Sequence, residues 1–190
     1  MSPDGSRPSA HQSRIVIYTL GRFDVLISGT PLRFKGRAPV RALELLGALI
    51  AAGDGGAGVG RLSDQLWPDA DGFDAYRAFT TTLHRLRRLL NCHDAVRLSA
   101  GRLSLDPHLC TVDAWNFERA LRGAVDPEAI EAVLDSYTGA FLGDDPNPWA
   151  LAMRERLDQL VTRKTARARE TARPRFSGAP LELRLLGAGA

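Results

Sequence analysis

The sequence has very little cysteine: Cys92 and Cys110 are its two examples, and no Cys-x-x-Cys motif occurs. A disulfide framework and a zinc knuckle are therefore excluded, because both need several cysteines at fixed spacing. Cys92-His93 and His108-x-Cys110 flank a predicted hairpin, which could bring four possible metal ligands near one another. Adjacent residues such as Cys92 and His93 rarely reach the same tetrahedral ion, so we expect no metal site and two ordinary reduced thiols.

Long apolar runs and catalytic motifs are also missing. No segment approaches the roughly 18 to 20 apolar residues of a membrane span, and residues 1–14 lack the apolar centre of a secretory signal. We therefore expect a cytoplasmic protein without a membrane partner. There is no GxSxG or GKS/T motif, and Asp144 and Asp145 lie in a turn-like GDDPNP segment where helix capping is their ordinary role. The sequence predicts neither an enzyme nor a cofactor.

Charge is unevenly distributed along the chain. The formal net charge is +3, and the 44% apolar composition suits one ordinary domain with a smaller companion. Residues 73–105 carry six basic and two acidic side chains, whereas residues 106–150 carry two basic and nine acidic ones. A basic middle followed by an acidic stretch indicates a polyanion-binding unit beside a part that avoids the polyanion.

The most informative segment is residues 73–91, which read as one helix with two opposed faces. At about 100° per residue, one stripe is apolar and consists of Phe79, Leu83, Leu86 and Leu90. The opposite stripe consists of Arg77, Thr81, His84 and Arg88. Arg85 and Arg87 flank this polar stripe and Thr80 lies beside it, a combination that contacts phosphates and base edges in a major groove. The alternative is a solvated helix that happens to be rich in arginine.

The elements around this helix predict a winged helix-turn-helix. Two short strands in residues 15–29 and a third after the turn at Gly29 form an N-terminal antiparallel sheet. A first helix follows Pro39 and ends at Gly53, and a second over residues 59–68 ends at Pro68. Residues 95–105 then form a hairpin at the position of a wing. The predicted fold class is α+β, with this C-terminal hairpin wing closing the DNA-binding domain.

Four regions follow from this organisation. Residues 1–13 are predicted to be a flexible tail, and residues 14–107 a winged-helix DNA-binding domain. Residues 108–170 form a short all-α segment resembling helical repeats, with apolar positions at Trp115, Phe117, Leu121, Ile130, Val133 and Leu134. Residues 171–190 are predicted to be an irregular tail, rich in Pro, Gly and Arg, where truncation or a shifted reading frame ends the repeat pattern.

Seven segments carry a resemblance to a known family. They are LGRFDVLISGTPL (20–32), RLSDQLWPDA (61–70), AFTTTLHRLRRLL (78–90), GRLSLDP (101–107), VDAWNFERAL (112–121), YTGAFL (137–142) and WALAMRERL (149–157). In this order, over residues 15 to about 170, they resemble the bacterial antibiotic-regulatory activators. Those proteins join a winged DNA-binding domain, similar to that of response regulators, to a bacterial transcriptional activation domain.

The resemblance implies roles for residues at matching positions. Thr81, His84, Arg85 and Arg88 correspond to residues that approach base edges, and Arg77 and Thr80 to residues that meet phosphates. In related domains the tryptophan that corresponds to Trp67 lies close to the DNA backbone. An equal alternative is that Trp67 is a core residue whose indole closes the helix junction. The hairpin residues are predicted from the chain itself, because strand alternation puts Arg97 and Arg102 on the face opposite Leu98 and Leu103, where they could touch phosphates. Lys35 and Arg37 before the first helix complete the predicted DNA-binding set, with solvated surface residues as the alternative for these two.

The same resemblance implies a function. The chain would activate a biosynthetic or secondary-metabolite gene cluster by binding direct repeats in promoter DNA through residues 73–91. A homodimer on DNA and contact with RNA polymerase are the implied assemblies. Because the repeat segment is short, the alternative is a truncated protein-interaction module or dominant-negative partner without activating function.

Overall fold

The computed structural model of the protein describes residues 15–34 and 36–172, which adopt an α+β fold. Six α-helices occur in this part of the chain: α1 Val40–Ala52, α2 Val59–Leu66, α3 Gly72–Leu89, α4 Asp113–Gly123, α5 Pro127–Leu134 and α6 Pro148–Ala172. The strands are β1 Ile15–Tyr18, β2 Asp24–Ile27, β3 Thr30–Pro31, β4 Ala57–Gly58, β5 Val96–Ser99, β6 Arg102–Leu105 and β7 Cys110–Val112. The N-terminal tail predicted for residues 1–13 lies outside the described residues. So do residues 173–190 of the predicted C-terminal tail.

The first sheet has the strand order β3-β2-β1-β7. β1 runs antiparallel to β2, with Ile17 opposite Val25, but parallel to β7, with Ile17 also opposite Val112. The predicted antiparallel sheet is therefore corrected to a mixed one. Parallel neighbouring strands need a long connection, and here residues 19–109 connect β1 to β7. β7 also lies within residues 108–170, so the prediction that this segment is all-α is corrected. The three residues of β7 are too few to show an alternating pattern in the sequence.

Helices α1 to α3 and the hairpin form where the sequence predicts them. α1 follows Pro39 and ends at Gly53, whose φ of 101° is in the left-handed region that glycine tolerates. α3 is slightly shorter than predicted, because Leu90 caps it and Asn91 takes a φ of 47°. In the hairpin Leu98 lies opposite Leu103, and β4 pairs with β6 to extend it to the order β4-β6-β5.

Helices α4 and α6 pack onto the same hydrophobic core as α1 to α3. The indole Nε1 of Trp115 in α4 donates to the carbonyl oxygen of Ile50 in α1 at 2.9 Å. Asp113, the first residue of α4, accepts hydrogen bonds from N and Oγ1 of Thr19 at 2.7 and 2.6 Å. Residues on both sides of the predicted boundary at residue 107 thus contribute to one core. No helix in residues 15–34 and 36–172 is long and apolar enough to cross a bilayer.

Candidate nucleic-acid interface

The two faces of α3 are separated as the sequence predicts. The apolar stripe is buried, with exposed fractions of 3% or less for Phe79, Leu83, Leu86 and Leu90. The polar stripe is exposed, and it consists of Arg77, Thr81, His84 and Arg88. Burial of four large side chains fixes the rotation of the helix about its own axis, since turning it would bring them into water. The outward direction of the polar stripe is therefore set by the core.

The beginning of α3 is fixed by Asp71. Its Oδ1 accepts hydrogen bonds from N of Phe73 at 3.1 Å and N of Asp74 at 2.9 Å, which satisfies two amides that have no partner within the helix. Further along the helix, Oγ1 of Thr80 donates to the carbonyl oxygen of Tyr76 at 2.9 Å. The exposed first half of α3 thus has a defined start and a defined side-chain geometry.

Three arginines on α3 present unpaired charge. Arg77, Arg85 and Arg88 are exposed, and within residues 15–34 and 36–172 no carboxylate lies in ion-pair distance of them. Arg87 differs, because its Nε and Nη2 donate to the carbonyl oxygen of Val96 at 3.1 and 2.8 Å. Guanidinium groups stay protonated at any physiological pH, so this face carries a fixed positive charge.

A groove of about 330 Å³ lies between the α2–α3 junction, the start of α1 and the side of α3. Its lining residues are Arg41, Trp67, Asp74, Arg77, Ala78, Thr81, Thr82 and Arg85. The groove brings together Trp67 and three of the predicted α3 residues. Trp67 is half-buried and packs against the core, as the core-indole alternative expects, and its remaining surface lines the groove.

Sequence reasoning missed Arg41 and two aromatic residues. Arg41 lies on the first turn of α1, where Nη1 donates to Glu44 Oε2 at 2.9 Å, and its side chain remains 58% exposed beside the groove. Its distance from α3 depends on how the helices cross, so no local signal identifies it. Phe73 and Tyr76 are 72% and 57% exposed at the start of α3. Their positions outside the apolar stripe of the helical wheel were the available signal.

The hairpin arginines are engaged with the protein itself. Nη2 of Arg97 lies 2.5 Å from Oδ2 of Asp106, a carboxylate that is almost fully buried. Nη1 of Arg102 donates to the carbonyl oxygens of Gly55 at 3.3 Å and Gly56 at 2.9 Å. Both side chains are exposed on the hairpin, but each guanidinium already has acceptors. Their positive charge is therefore less available to an anion than that of Arg85 or Arg88.

The segment before α1 contributes less to this surface. Arg37 is exposed but does not line the groove, and Lys35 lies outside the described residues. Cys92 is half-buried and Cys110 is buried, and within the described ranges no group of three or more His, Cys, Asp and Glu side chains is arranged to hold a metal ion. Burial raises the pKa of the Cys110 thiol to about 12, with the charges of Cys92 and Asp106 adding to the shift.

Comparison with solved structures finds a chain with a similar fold. Mycobacterium tuberculosis EmbR, solved in complex with a low affinity phosphopeptide, matches with a TM-score of 0.60 and 19% sequence identity. The match covers 83% of this chain and 45% of the EmbR chain, so the chain spans less than half the length of this neighbour. No protein-family model and no curated protein sequence matches. The similarity concerns the fold, and it extends across both sides of residue 107.

Proposed function

We propose that the chain is a sequence-specific, DNA-binding transcriptional regulator built on a winged helix-turn-helix. In this proposal α3 enters the major groove, α2 crosses the DNA backbone and the β5–β6 hairpin is the wing. The resemblance of the seven sequence segments to antibiotic-regulatory activators supports activation of a biosynthetic or secondary-metabolite gene cluster. EmbR has a similar overall fold at 19% sequence identity.

The observation that carries the proposal is the unpaired cationic face of α3. Arg77, Arg85 and Arg88 are exposed without a carboxylate partner in the described ranges, opposite a stripe that the core holds in place. Arginines used only for solubility commonly alternate with acids. Asp74 also lines the groove, but three unpaired arginines on this face outnumber it, and a basic helix face is the electrostatic footprint of nucleic-acid binding. The hydroxyl and methyl groups of Thr81 add contacts that are suited to base edges.

The side chains divide into two roles. We assign base-edge contacts to Thr81, His84, Arg85 and Arg88, which lie along the middle and end of the outer face. We assign phosphate contacts to Arg77 and Thr80. Trp67 and Arg41 line the groove on the same side, and we assign them to the same class of contact. Arg97, Arg102 and Arg37, and Lys35 beyond the described ranges, are supplementary backbone contacts. The first two contribute less because Asp106 and backbone carbonyls already hold them.

We further propose that residues 14–107 bind DNA and that residues 108–170 form a partial helical activation unit that contacts RNA polymerase. The net charge of residues 106–150 is strongly negative, with nine acidic and two basic side chains, so this segment is repelled by DNA and left available to a protein partner. Direct repeats in the promoter would bring two copies of the chain side by side as a homodimer on DNA. Run-off transcription with purified RNA polymerase tests the activating role.

DNA binding is tested by selecting duplexes from a random pool and measuring gel shifts across a salt series. We expect one enriched motif and an affinity that falls steeply with salt, because phosphate contacts release counterions. The double variant Arg77→Ala with Arg85→Ala should lose most of this binding. The double variant Arg33→Ala with Arg163→Ala is the matched control, since it removes the same charge from exposed arginines outside the proposed surface.

Two results would contradict the proposal. Equal losses in both double variants would mean that binding follows net charge rather than the α3 face. No enriched motif and no salt-dependent shift would mean that the chain does not read DNA. If such a chain still captured a full-length protein of similar fold, the interaction-module alternative would replace the proposed function.

A further inference from the structure

A second cationic site lies away from α3, where the loop after α1 meets α4 and α6. It is a pocket of about 290 Å³. Its lining residues are Ala52, Gly53, Asp54, Gly55, Trp115, Glu118, Arg119, Arg122 and Arg156. Ligand pockets for small molecules start at about this volume and are formed, as here, where separate structural elements meet.

Glu118 organises the inner wall of the pocket. It is 6% exposed, and its Oε1 accepts a hydrogen bond from Nη2 of Arg122 at 2.6 Å while Oε2 accepts one from Nη2 of Arg156 at 3.3 Å. Nη1 of Arg156 also donates to the carbonyl oxygen of Ala51 at 3.2 Å. One buried carboxylate thus orients two guanidinium groups from different helices, and it neutralises only one of their two charges.

The rim carries a third guanidinium. Nη2 of Arg119 lies 3.6 Å from Oδ2 of Asp54, and both side chains are mostly exposed, so water weakens this pair. Three arginines and two carboxylates line the pocket, which leaves one net positive charge. Arg119 and Arg122 are 66% and 62% exposed, so both can reorient N–H donors toward a ligand at the mouth.

Trp115 and Ala52 are the nonpolar side chains of the lining. Trp115 is 7% exposed, and its hydrogen bond to the carbonyl oxygen of Ile50 holds the indole ring in place. Together with Ala52 it offers a nonpolar surface next to the arginines. A site with one excess positive charge, a small nonpolar part formed by Trp115 and Ala52, and a small volume matches a small organic anion of single charge. Glu118 and Asp54 disfavour a polyanion or a phosphate dianion at the same place by like-charge repulsion.

We propose that this pocket binds a small organic monocarboxylate. Arg122 and Arg119 hold the carboxylate in the two-pronged geometry that guanidinium groups favour, and the nonpolar part of the ligand lies against Trp115. Bound there, the ligand would join the loop after α1 to α4 and α6. The proposal does not rest on DNA binding, because none of the pocket residues belongs to α3.

The test is a titration of the full chain with sodium benzoate as the probe, followed by calorimetry and by the indole N–H signal of Trp115 in a heteronuclear NMR spectrum. We expect saturable binding with a Kd of about 1 mM or tighter, and a selective shift of Trp115 among the three tryptophans of the chain. Arg122→Gln should weaken binding about tenfold or more, since it removes a charged donor. Arg163→Gln, an exposed substitution elsewhere on α6, is the control and should leave the Kd unchanged.

A parallel titration with inorganic phosphate distinguishes the ligand class. Benzoate binding that exceeds phosphate binding, and is lost in Arg122→Gln but kept in Arg163→Gln, supports the proposal. Absence of saturable benzoate binding up to about 20 mM overturns it. Tighter binding of phosphate overturns the carboxylate assignment, and equal Kd values for wild type and Arg122→Gln overturn the assigned site. The fold of each variant is checked by its unfolding midpoint.

Discussion

Arg87 links helix α3 to the hairpin by donating to Val96, with Nε and Nη2 lying 3.1 and 2.8 Å from its carbonyl oxygen. Two residues earlier in the same helix, Arg85 is exposed and lines the groove beside Trp67. Identical side chains in one helix thus have different environments. The first is a structural contact, and the second is available to a ligand.

This contrast predicts unequal effects of two alanine substitutions on the free energy of unfolding. Arg87→Ala should lower the free energy of unfolding by about 1 to 3 kcal/mol, because it removes the charged donor of the Val96 carbonyl. Arg85→Ala should change it by less than about 0.5 kcal/mol. Urea unfolding of both variants measures the difference. A destabilisation of the same size in the two proteins would show that the Arg87 contact contributes nothing specific.

The two proposed classes of DNA contact predict different binding behaviour. Arg85→Ala should cost about 1 to 3 kcal/mol on the selected motif and broaden the base preference, because it removes a base-edge contact. Arg77→Ala should weaken all sequences about equally and reduce the salt slope by about one unit. Gel shifts on the selected and scrambled duplexes separate the two patterns. Retention of full affinity and specificity by both variants would mean that the wrong face of α3 has been assigned.

The close approach of α1 and α6 predicts a packing defect on adding one methyl group. A Cβ at Gly47 would lie 2.8 Å from Cη2 and 3.0 Å from Cζ3 of Trp149, so the buried ring would have to move. Gly47→Ala should therefore destabilise the chain by about 1 to 3 kcal/mol and alter its near-ultraviolet circular dichroism. Gly60→Ala in α2 is the control, since its Cβ meets no atom within 4 Å. It should leave stability unchanged or raise it by up to about 1 kcal/mol. An unaffected Gly47→Ala protein would argue against this helix contact.

The buried thiol of Cys110 predicts a dependence of stability on alkaline pH. Its pKa is raised from 9.0 to about 12 in the folded chain, so between these values the unfolded chain loses the proton while the folded chain keeps it. The contribution of this thiol to the free energy of unfolding is therefore fully present below about pH 9 and is lost as the pH rises toward 12. Between about pH 8 and pH 10, the wild type should lose about 1 kcal/mol more than Cys110→Ala in urea unfolding. Parallel pH profiles for the two proteins would contradict this assignment.

Much of the proposed DNA-binding surface was predictable because it lies on one helix. The apolar residues of α3 recur with the helical period, and their burial follows directly from that pattern. The boundaries of α1 follow Pro39 and Gly53, whose backbone preferences act locally. The hairpin follows from two alternating segments around Ala100 and Gly101, which have φ values of 48° and 72°.

Other features could not be read in advance, because they depend on contacts between distant segments. Asp113 accepts hydrogen bonds from Thr19, 94 residues earlier, and this pairing accompanies the parallel strand β7. The positions of Arg41 at the groove and of Glu118 between two arginines depend on how whole helices cross. Local sequence patterns carry no information about such crossings.

The amino-acid sequence by itself determined which side of α3 is apolar and which is cationic, because helical periodicity assigns every residue to a face. Only the tertiary structure decided which arginines of α3 and of the hairpin are available to a ligand. Arg87 is held by Val96 and Arg97 by Asp106, whereas Arg85 is exposed without an ion-pair partner in the described ranges. The physical reason is that a guanidinium group binds the acceptor that folding brings near it, and the positions of those acceptors are set by the packing of the whole chain.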